Sequence, residues 1–348
     1  MKRIPLVECC EILDSQRIPI TAKDREEGPY PYYGANGVQD YVADYIFDDD
    51  LVLLAEDGGN FGSKERPIAY RVSGKCWVNN HAHVLKPTAG TDVDYLCYAL
   101  MFYDTSGLVN GATRQKLTQA AMRQMTIPLN SIEDQRVIVS KIKAVEQIKK
   151  LREEQLASLD KLIKARFVEM FGDESNPFKW PIITVEDVAK VSVGVVIKPA
   201  QYYTDAEHGV KAFRSLNIGP MTIKDDDWVY FTYEGNDKNV KSQLKENDLL
   251  IVRSGAPGTA CVVPKQYEGC NAIDIIIARP NIEKINPYYL CTYTNMPHGK
   301  RQIDEGTGGA AQQHFNVGKY NKLHLMMPPL ELQNEFVNFI AQVDKSKL

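Results

Sequence analysis

The sequence predicts two tandem domains of mixed α+β structure, each followed by an amphipathic helix. Three observations lead to this prediction. Residues 176–348 repeat the pattern of residues 1–175 in the same order. Both copies contain short apolar runs that end in glycine-rich turns, which is typical of buried strands. Both copies also end in apolar residues spaced three or four apart, which is typical of an amphipathic helix.

The internal repeat has two copies that differ near their beginnings. Residues 50–54 (DLVLL) match residues 248–252 (DLLIV), which lie 198 residues later. The dipeptide Val-Glu at 7–8 matches that at 185–186, only 178 residues later. Because the matches keep the same order and character, we interpret them as a duplicated globular unit. The change in spacing predicts about twenty extra residues early in the second copy.

The segments follow from the repeat and from the helical runs. Leu51 to Ala55 and Leu249 to Val252 predict buried strands, and "VDYLCYALMFY" and "NPYYLCTYTNM" predict short helices. The predicted segments are a first domain at 1–130, a helical spacer at 131–175, a second domain at 176–329 and the start of a second helix at 330–348.

A long helix is predicted between the two domains. Ser131 and Asp134 have the spacing of a capping motif, no Gly or Pro follows before Phe171, and Gly172 suits a helix end. About 40 residues give a helix of roughly 60 Å. Its spacing is similar to that of a coiled coil. The predicted packing positions are Ile138, Ile142, Val145, Ile148, Leu156, Leu159, Ile163 and Phe167, with Phe336, Ile340 and Val343 in the second helix.

The second helix is predicted to be shorter than the first. It starts after Pro328-Pro329, and about 18 residues remain, or roughly 27 Å. We therefore expect Leu156 to Met170 to lack a partner within the chain. Either the chain is truncated, or this apolar face packs on another subunit.

Composition excludes several classes of protein. The chain is 44% hydrophobic and 25% charged, which is ordinary for a globular protein. No apolar run reaches the roughly 18 residues needed to cross a bilayer, and the N-terminus does not resemble a signal peptide, so we expect a cytoplasmic location. The seven cysteines form no CxxC pair, which argues against disulfide and zinc frameworks. A net charge of −4 permits nucleic-acid binding only through a local basic surface.

The phrases "TIPLNSIEDQRVIVSKI" and "HLMMPPLELQNEFVNFI" stand where each globular copy passes into its helix. Together with the duplication and the alternation of domain and helix, they resemble the specificity (S) subunits of type I restriction-modification systems. The resemblance covers essentially the whole chain. It implies two target-recognition domains, each reading one half of a bipartite site in double-stranded DNA. It also implies helices that pair antiparallel as a coiled coil and hold the domains apart.

The same resemblance implies partners and places catalysis outside this chain. The helices would dock DNA methyltransferase (M) subunits, and restriction (R) subunits would join through that complex. S-adenosylmethionine would bind the M subunit, and ATP and Mg the R subunit, so we expect no cofactor and no catalytic residue on this chain.

Two equivalent loops are candidates for DNA contact. "GATRQK" places Arg114, Gln115 and Lys116 together; Arg can read guanine, Gln can read adenine, and Lys suits phosphate. The counterpart, "GTGGAAQQHF", offers Gln312, Gln313 and His314. For any single residue a solvated turn is the alternative.

Glycine-rich loops also follow the two central strands. "DGGNFGSKER" and "RSGAPG" lack the Lys-Ser/Thr ending of a P-loop, which argues against nucleotide binding. DNA-backbone contact and a plain tight turn both remain open for the candidate residues Lys64, Arg66, Arg253 and Ser254.

Polar residues precede the next predicted strand in both copies. Asn80, His81 and Asn271 are candidates for base or phosphate contact, and a packed polar strand end is the alternative. His81 and His83 could form a two-histidine metal site, but the second copy reads "CNAIDI" there and no third ligand is evident. We therefore predict no metal.

Two further functions stay open at this level. The chain could be an enzyme with unrecognised catalytic groups, although "NPYY" lacks the second proline of the methyltransferase motif NPPY. It could also be a scaffold that binds only proteins through its helices.

Overall fold

The computed structural model describes residues 3–111, 113–306 and 315–347. The contacts divide the chain into unit 1, Met1–Arg152, and unit 2, Glu153–Leu348. The boundary falls within the long helix between the two globular parts.

Unit 1 is built around one mixed sheet. Its described strands are β1 (Arg3–Pro5), β2 (Cys10–Ile12), β3 (Tyr30–Gly34), β4 (Gly37–Val42), β5 (Phe47–Ala55), β6 (Ala69–Val78), β7 (Ala82–Pro87), β8 (Val109–Asn110), β9 (Lys116–Leu117) and β10 (Thr126–Pro128). Its described helices are α1 (Leu6–Cys9), α2 (Val93–Met101), α3 (Gln119–Met122) and α4 (Ile132–Phe171), which continues into unit 2. Six strands form the sheet in the order β2-β7-β5-β6-β3-β4.

The central strand β5 contains the predicted apolar run and is covered on both faces. Val52 and Leu54 pack in the cluster that includes α2, whereas Leu51 and Leu53 pack in a second cluster on the opposite face. Because successive side chains alternate between faces, a strand covered on both sides reads as a continuous apolar run. The predicted strand and the predicted helix α2 are confirmed.

The short apolar run before the long helix closes unit 1. Residues 126–128 form β10, which pairs antiparallel with β1 at the N-terminus, and Ile127 lies opposite Ile4. Ile127 is buried in the same cluster as Leu6. This pair fixes the entry into the helix.

Helix α4 has the predicted bounds and caps. At the start, the Asp134 amide donates to Ser131 Oγ at 3.1 Å. At the end, the Gly172 amide donates to the Val168 carbonyl, and Gly172 has a φ of 85°. Near the middle of the helix two apolar residues are exposed: Val145 and Ile148 are 65% and 66% exposed.

Unit 2 repeats this plan with interruptions. Its described strands are β11 (Ile182–Thr184), β12 (Ala189–Val193), β13 (Tyr203–Thr204), β14 (Gly209–Phe213), β15 (Ile218–Gly219), β16 (Thr222–Ile223), β17 (Val229–Thr232), β18 (Leu249–Val252), β19 (Ala260–Val262), β20 (Asn271–Ala272), β21 (Ile275–Pro280) and β22 (His324–Met326). Its further described helices are α5 (Tyr233–Lys238), α6 (Pro287–Asn295), α7 (Pro297–Gly306), α8 (Val317–Asn321) and α9 (Leu330–Ser346).

The sheets of unit 2 correspond to the single sheet of unit 1. The order β12-β21-β18-β19 repeats β2-β7-β5-β6, and β14 pairs parallel with β20 as β3 does with β6. The long strand β6 is replaced by the two short strands β19 and β20, which belong to different sheets. The additional residues predicted for the second copy fall between β12 and β18, where β13 and the β15–β16 pair are found. The duplication is therefore visible in the topology.

The second half of α4 packs against α9, which corrects one prediction. Ile163 and Phe167 are buried in one cluster with Phe336, Ile340 and Val343. Lys347 Nζ lies 2.9 Å from Asp160 Oδ1, and Arg166 contacts Glu335, so the two segments run in opposite directions. The expectation that Leu156 to Met170 lack an intrachain partner is therefore wrong for most of that stretch. Leu159 packs against the same cluster, and Leu156 is half-buried.

Candidate nucleic-acid interface

Three loops of unit 1 meet beyond the end of β5. Asp57 Oδ1 lies 2.8 Å from Arg114 Nε, and Asp57 Oδ2 lies 3.4 Å from His81 Nδ1. The second contact lacks hydrogen-bond geometry, since His81 Nδ1 makes no hydrogen bond. The Gly58 amide donates to the Gln115 carbonyl at 3.0 Å. Asp57 therefore connects the glycine-rich loop, the turn before β7 and the 111–116 loop.

The 111–116 loop is the turn of a small hairpin formed by β8 and β9. Gly111 lies at a φ of 103°, in the left-handed region that favours glycine. A Cβ at this position would lie 2.3 Å from the Arg114 carbonyl oxygen. Glycine is thus required for the turn that presents the candidate side chains.

Most of the predicted contact residues of unit 1 are exposed. The Arg114 and Lys116 side chains are 59% and 49% exposed, and Gln115 is exposed. Lys116 Nζ lies 3.2 Å from Glu56 Oε1, so both cations of the loop face a carboxylate. Among the remaining candidates of unit 1, Lys64, Arg66 and Asn80 are also exposed, whereas His81 is half-buried.

Beneath this surface lies a buried charge network that sequence reasoning missed. His83 Nδ1 lies 2.6 Å from Asp14 Oδ2, and His83 Nε2 lies 2.8 Å from the Leu117 carbonyl oxygen. The imidazole is fully buried. Both ring nitrogens therefore lie within hydrogen-bond distance of an oxygen acceptor. Arg17 completes the network by donating to Glu56 Oε2 at 2.6 Å.

The carboxylates of the network are held in their charged form. Burial raises the pKa of Asp14, but the hydrogen bond and charge of His83, the Val84 amide and Arg17 outweigh it, so the pKa is lowered. Burial also raises the pKa of Glu56, and Arg17, His83 and Lys116 together lower it below its usual range. Opposite charges therefore compensate for the cost of burial.

The same network bears on the metal alternative. Asp14, Glu56 and His83 bring three potential ligand atoms within 4.8 Å of one another. However, each ring nitrogen of His83 already lies within hydrogen-bond distance of an oxygen of the chain. Glu56 Oε2 already accepts a hydrogen bond from Arg17. The group fits a charge network, and His81, the other histidine of the predicted pair, is not part of it.

The lowered carboxyl pKa values predict acid sensitivity of unit 1. A carboxyl group whose pKa is lowered in the folded state stabilises that state at pH values above its ordinary pKa. This stabilisation is lost as the pH falls through the lowered pKa. We expect the stability of unit 1 to fall below about pH 4. Asp14→Asn should flatten this fall in urea denaturation measured from pH 3 to 7, and the exposed-site control Glu27→Gln should not. An unchanged acid slope in Asp14→Asn would contradict the assignment.

In unit 2, Arg253 occupies the first position after β18, as Glu56 does after β5. Its guanidinium forms an ion pair with Asp274, and its Nε donates to the Phe315 carbonyl at 3.2 Å. The side chain is only 17% exposed. The structure thus gives Arg253 an internal role rather than the predicted backbone contact, while Ser254 is half-buried in the following turn.

The structure corrects the prediction that Asn271 contacts DNA. It is fully buried, its Oδ1 accepts from Ser242 Oγ at 2.7 Å, and its Nδ2 donates to Asn236 Oδ1 at 2.8 Å. Because the amide is satisfied inside unit 2, Asn271 is a packed polar strand end and is not placed to contact DNA. The candidates Gln312, Gln313 and His314 lie outside the described residues.

The comparisons with known proteins agree with this layout. Residues 1–161 match the family model described as the type I restriction modification DNA specificity domain. S.HindORF215P of Haemophilus influenzae, described as a type I restriction enzyme specificity subunit, is 26% identical over 345 residues. That alignment covers 98% of this chain and 86% of the relative.

Residues 1–161 of this chain are thus similar to the DNA specificity domain of the type I restriction-modification specificity subunits, and nearly the whole chain is similar to one member of that family. DNA-site specificity is the function of this family, and the family role is not itself catalytic. The resemblance predicted from the two exit phrases is confirmed.

Solved structures of specificity subunits share the fold. The S subunit from M. genitalium is 13% identical with a TM-score of 0.55, and the alignment covers 99% of this chain and 90% of that one. A chain from a structure that describes complex assembly and conformational transition of a type I R-M system is 15% identical, with a TM-score of 0.58 and the same coverage. At these identities the likeness shows the fold of this chain.

Within the described part of the chain, no helix is both long enough and apolar enough to span a bilayer.

Proposed function

We propose that this chain is the DNA sequence-specificity subunit of a type I restriction-modification complex. Unit 1 reads one half of a bipartite site in double-stranded DNA, and unit 2 reads the other half. The observation that carries this proposal is the repetition of one scaffold with different side chains at equivalent loop positions. Arg114, Gln115 and Lys116 stand in unit 1 where the sequence of unit 2 has Gln312, Gln313 and His314. Two different readers on one chain recognise an asymmetric site.

Helix α4 supports a spacing role. It contains 40 residues and is about 60 Å long at 1.5 Å per residue. B-DNA presents the same groove about every 34–36 Å, and the proposal assigns to the helices the role of setting the distance between two half-sites. The exposed Val145 and Ile148 offer an apolar surface for the methyltransferase subunits that the proposal requires.

Catalysis belongs to the partners in this proposal. The methyltransferase subunit uses S-adenosylmethionine, and the restriction subunit, which joins through the complex, uses ATP and Mg. The role of the present chain is to select the DNA site.

Methylation mapping tests the function directly. The chain is expressed with its methyltransferase subunit in a host that lacks other modification systems, and methylated sites are sequenced. We expect one asymmetric, split motif with a spacer of fixed length. Methylation without a sequence motif would overturn the proposal, and methylation or cleavage by the chain alone would show that it is an enzyme.

Electrophoretic mobility shifts test the spacer. The chain with its methyltransferase subunit should bind a duplex carrying the mapped site and lose specific binding when the spacer changes by one base pair. Equal binding to both duplexes would show that the helix does not set the spacing. A complex that binds no DNA would support a protein-binding scaffold instead.

Arg114 is the strongest candidate for a base contact. Its side chain is 59% exposed, and Nε contacts Asp57 at 2.8 Å. The terminal nitrogens of a guanidinium are the donors of a bidentate guanine contact. Arg114→Ala should cost about 1–3 kcal/mol of discrimination at one base of one half-site and leave the other half-site unchanged. Competition binding with single-base variants of the mapped site measures this.

The matched control is Lys64→Ala, in the neighbouring glycine-rich loop. A phosphate contact should weaken binding similarly for all sequences and reduce the slope of binding against salt. If Arg114→Ala showed that behaviour, Arg114 would be a backbone contact rather than a base reader.

A further inference from the structure

One backbone carbonyl occupies an equivalent place in the two units. In unit 1 the Leu117 amide donates to the carbonyl of Glu56, the first residue after β5, at 2.7 Å. In unit 2 the Phe315 amide donates to the carbonyl of Arg253, the first residue after β18, at 3.0 Å. Leu117 and Phe315 are the residues that follow the candidate contact residues 114–116 and 312–314 in the sequence.

A side chain paired with a carboxylate holds the carbonyl of this residue in both units. The Leu117 carbonyl accepts from His83 Nε2 at 2.8 Å, and the Phe315 carbonyl accepts from Arg253 Nε at 3.2 Å. His83 is in turn paired with Asp14, and Arg253 with Asp274. Each unit therefore contains a nitrogen-bearing side chain between a carboxylate and the loop carbonyl.

The two pairs occupy different positions in the repeated fold. His83 lies opposite Leu54 of the central strand, and the residue in the same place of unit 2 is Ile275, opposite Val252. Conversely, Arg253 directly follows Val252 and therefore stands where unit 1 has Ala55. The same carbonyl is thus held in both units by residues that do not correspond. This recurrence indicates that holding the carbonyl serves a purpose, because a merely inherited contact would use the same position.

The consequence for unit 1 follows from the chain geometry. Leu117 directly follows Lys116, and its carbonyl is held at 2.8 Å by the fully buried His83 side chain. The other side of the loop is held by the Gly58 amide at the Gln115 carbonyl. A small movement of the Leu117 peptide would therefore displace Arg114 and Gln115, whose contacts with base edges require ångström precision.

We infer that His83 with Asp14, and Arg253 with Asp274, are positioning residues that fix the backbone on which each half-site reader ends. They set base discrimination without contacting DNA. This inference rests on the proposed function for its DNA readout.

Two substitutions of His83 separate its two contacts. The side-chain nitrogen of glutamine falls near the Nε2 position of histidine, and that of asparagine falls near Nδ1. His83→Gln therefore retains a donor for the Leu117 carbonyl, whereas His83→Asn retains a donor for Asp14. Each variant loses one hydrogen bond, so a merely structural role predicts similar effects.

Binding of the complex with methyltransferase subunits to single-base variants of the mapped site decides the question. His83→Asn should lose about tenfold discrimination at the first half-site, His83→Gln should keep discrimination near that of the wild type, and neither should change the second half-site. Equal behaviour of the two variants would overturn the inference. Absence of specific binding by the wild-type complex would instead overturn the proposed function, and with it this readout.

Hydrogen exchange measured by mass spectrometry gives a readout that needs no DNA. His83→Asn should speed exchange in peptides covering 111–117 while peptides covering β5 stay protected, and His83→Gln should leave both protected. Unchanged exchange at 111–117 in His83→Asn would contradict the inference. If His83→Asn also unprotects β5, unit 1 has unfolded, and the unit 2 variant decides.

The unit 2 variant is Arg253→Met. It should lower discrimination at the second half-site about tenfold, with an unchanged slope of binding against salt and an unchanged first half-site. A uniform loss of affinity with a smaller salt slope would show that Arg253 contacts phosphate, which would overturn the inference for this unit.

Discussion

Replacing Phe167 by alanine is expected to lower the free energy of unfolding of unit 2 by about 3–5 kcal/mol. Phe167 is fully buried in the second half of α4. Its ring lies 5.6 Å from that of Tyr289 in a stacked arrangement and 5.4 Å from that of Phe336 in an edge arrangement. Truncation would leave a cavity between α4, α6 and α9, and the rigid rings around it cannot collapse into the space.

The neighbouring residue supplies a control. Val168 is 41% exposed on the same helix turn, so Val168→Ala should change stability by less than about 0.5 kcal/mol. Hydrogen exchange by mass spectrometry measures both variants, because peptides from β18 report unit 2 and peptides from β5 report unit 1. Similar effects of the two substitutions would show that the packing of α4 on α9 contributes little to unit 2.

This packing also shows where sequence reasoning failed. The period of the apolar residues predicted both helices and their bounds, but period alone does not tell which faces meet. The prediction that the late part of α4 lacks a partner compared helix lengths only. Phe336, Ile340 and Val343 on the short helix α9 face Ile163 and Phe167. A helix of 17 residues is therefore long enough to cover the second half of α4.

The sequence predicted where the loops of the candidate interface lie, but not which of their polar residues are buried. Glycine turns and short apolar runs located the loops, and the repeat showed that they are equivalent. Burial of individual polar residues was not predictable, because Asn271 and Asn80 look alike in sequence although one is buried and the other exposed. The His83 network joins residues more than 60 positions apart, such as Asp14 at a separation of 69. No local pattern reveals such a contact.

Gln135 and Gln333 are equivalent in the sequence repeat, but their role became clear only in the structure. Gln135 and Gln333 close the phrases "IEDQ" and "LELQ", and both are fully buried. Gln135 Oε1 accepts from the Asp92 amide at 2.8 Å, and its Nε2 donates to the Gly90 carbonyl at 2.9 Å. Gln333 likewise accepts from the Asn286 amide at 2.9 Å. Each glutamine therefore joins the start of an exit helix to the N-cap of the short helix α2 or α6.

Gln135→Met is expected to destabilise unit 1 by roughly 2–4 kcal/mol. Methionine has a similar volume but cannot hydrogen-bond the Asp92 amide or the Gly90 carbonyl, so these backbone groups lose their partner where water has little access. Gln333→Met should have a similar effect on unit 2 only. Urea-dependent hydrogen exchange, read separately for peptides of β5 and β18, measures both.

The control for this experiment is Glu133→Met, which alters an exposed position on the same turn as Gln135. We expect it to change the stability of unit 1 by less than about 0.5 kcal/mol. If Gln135→Met and Glu133→Met had the same effect, the buried amide would not be what joins the domain to its helix. If Gln135→Met instead lowered unit 1 and unit 2 equally, its effect would travel through α4 rather than act at the Asp92 cap.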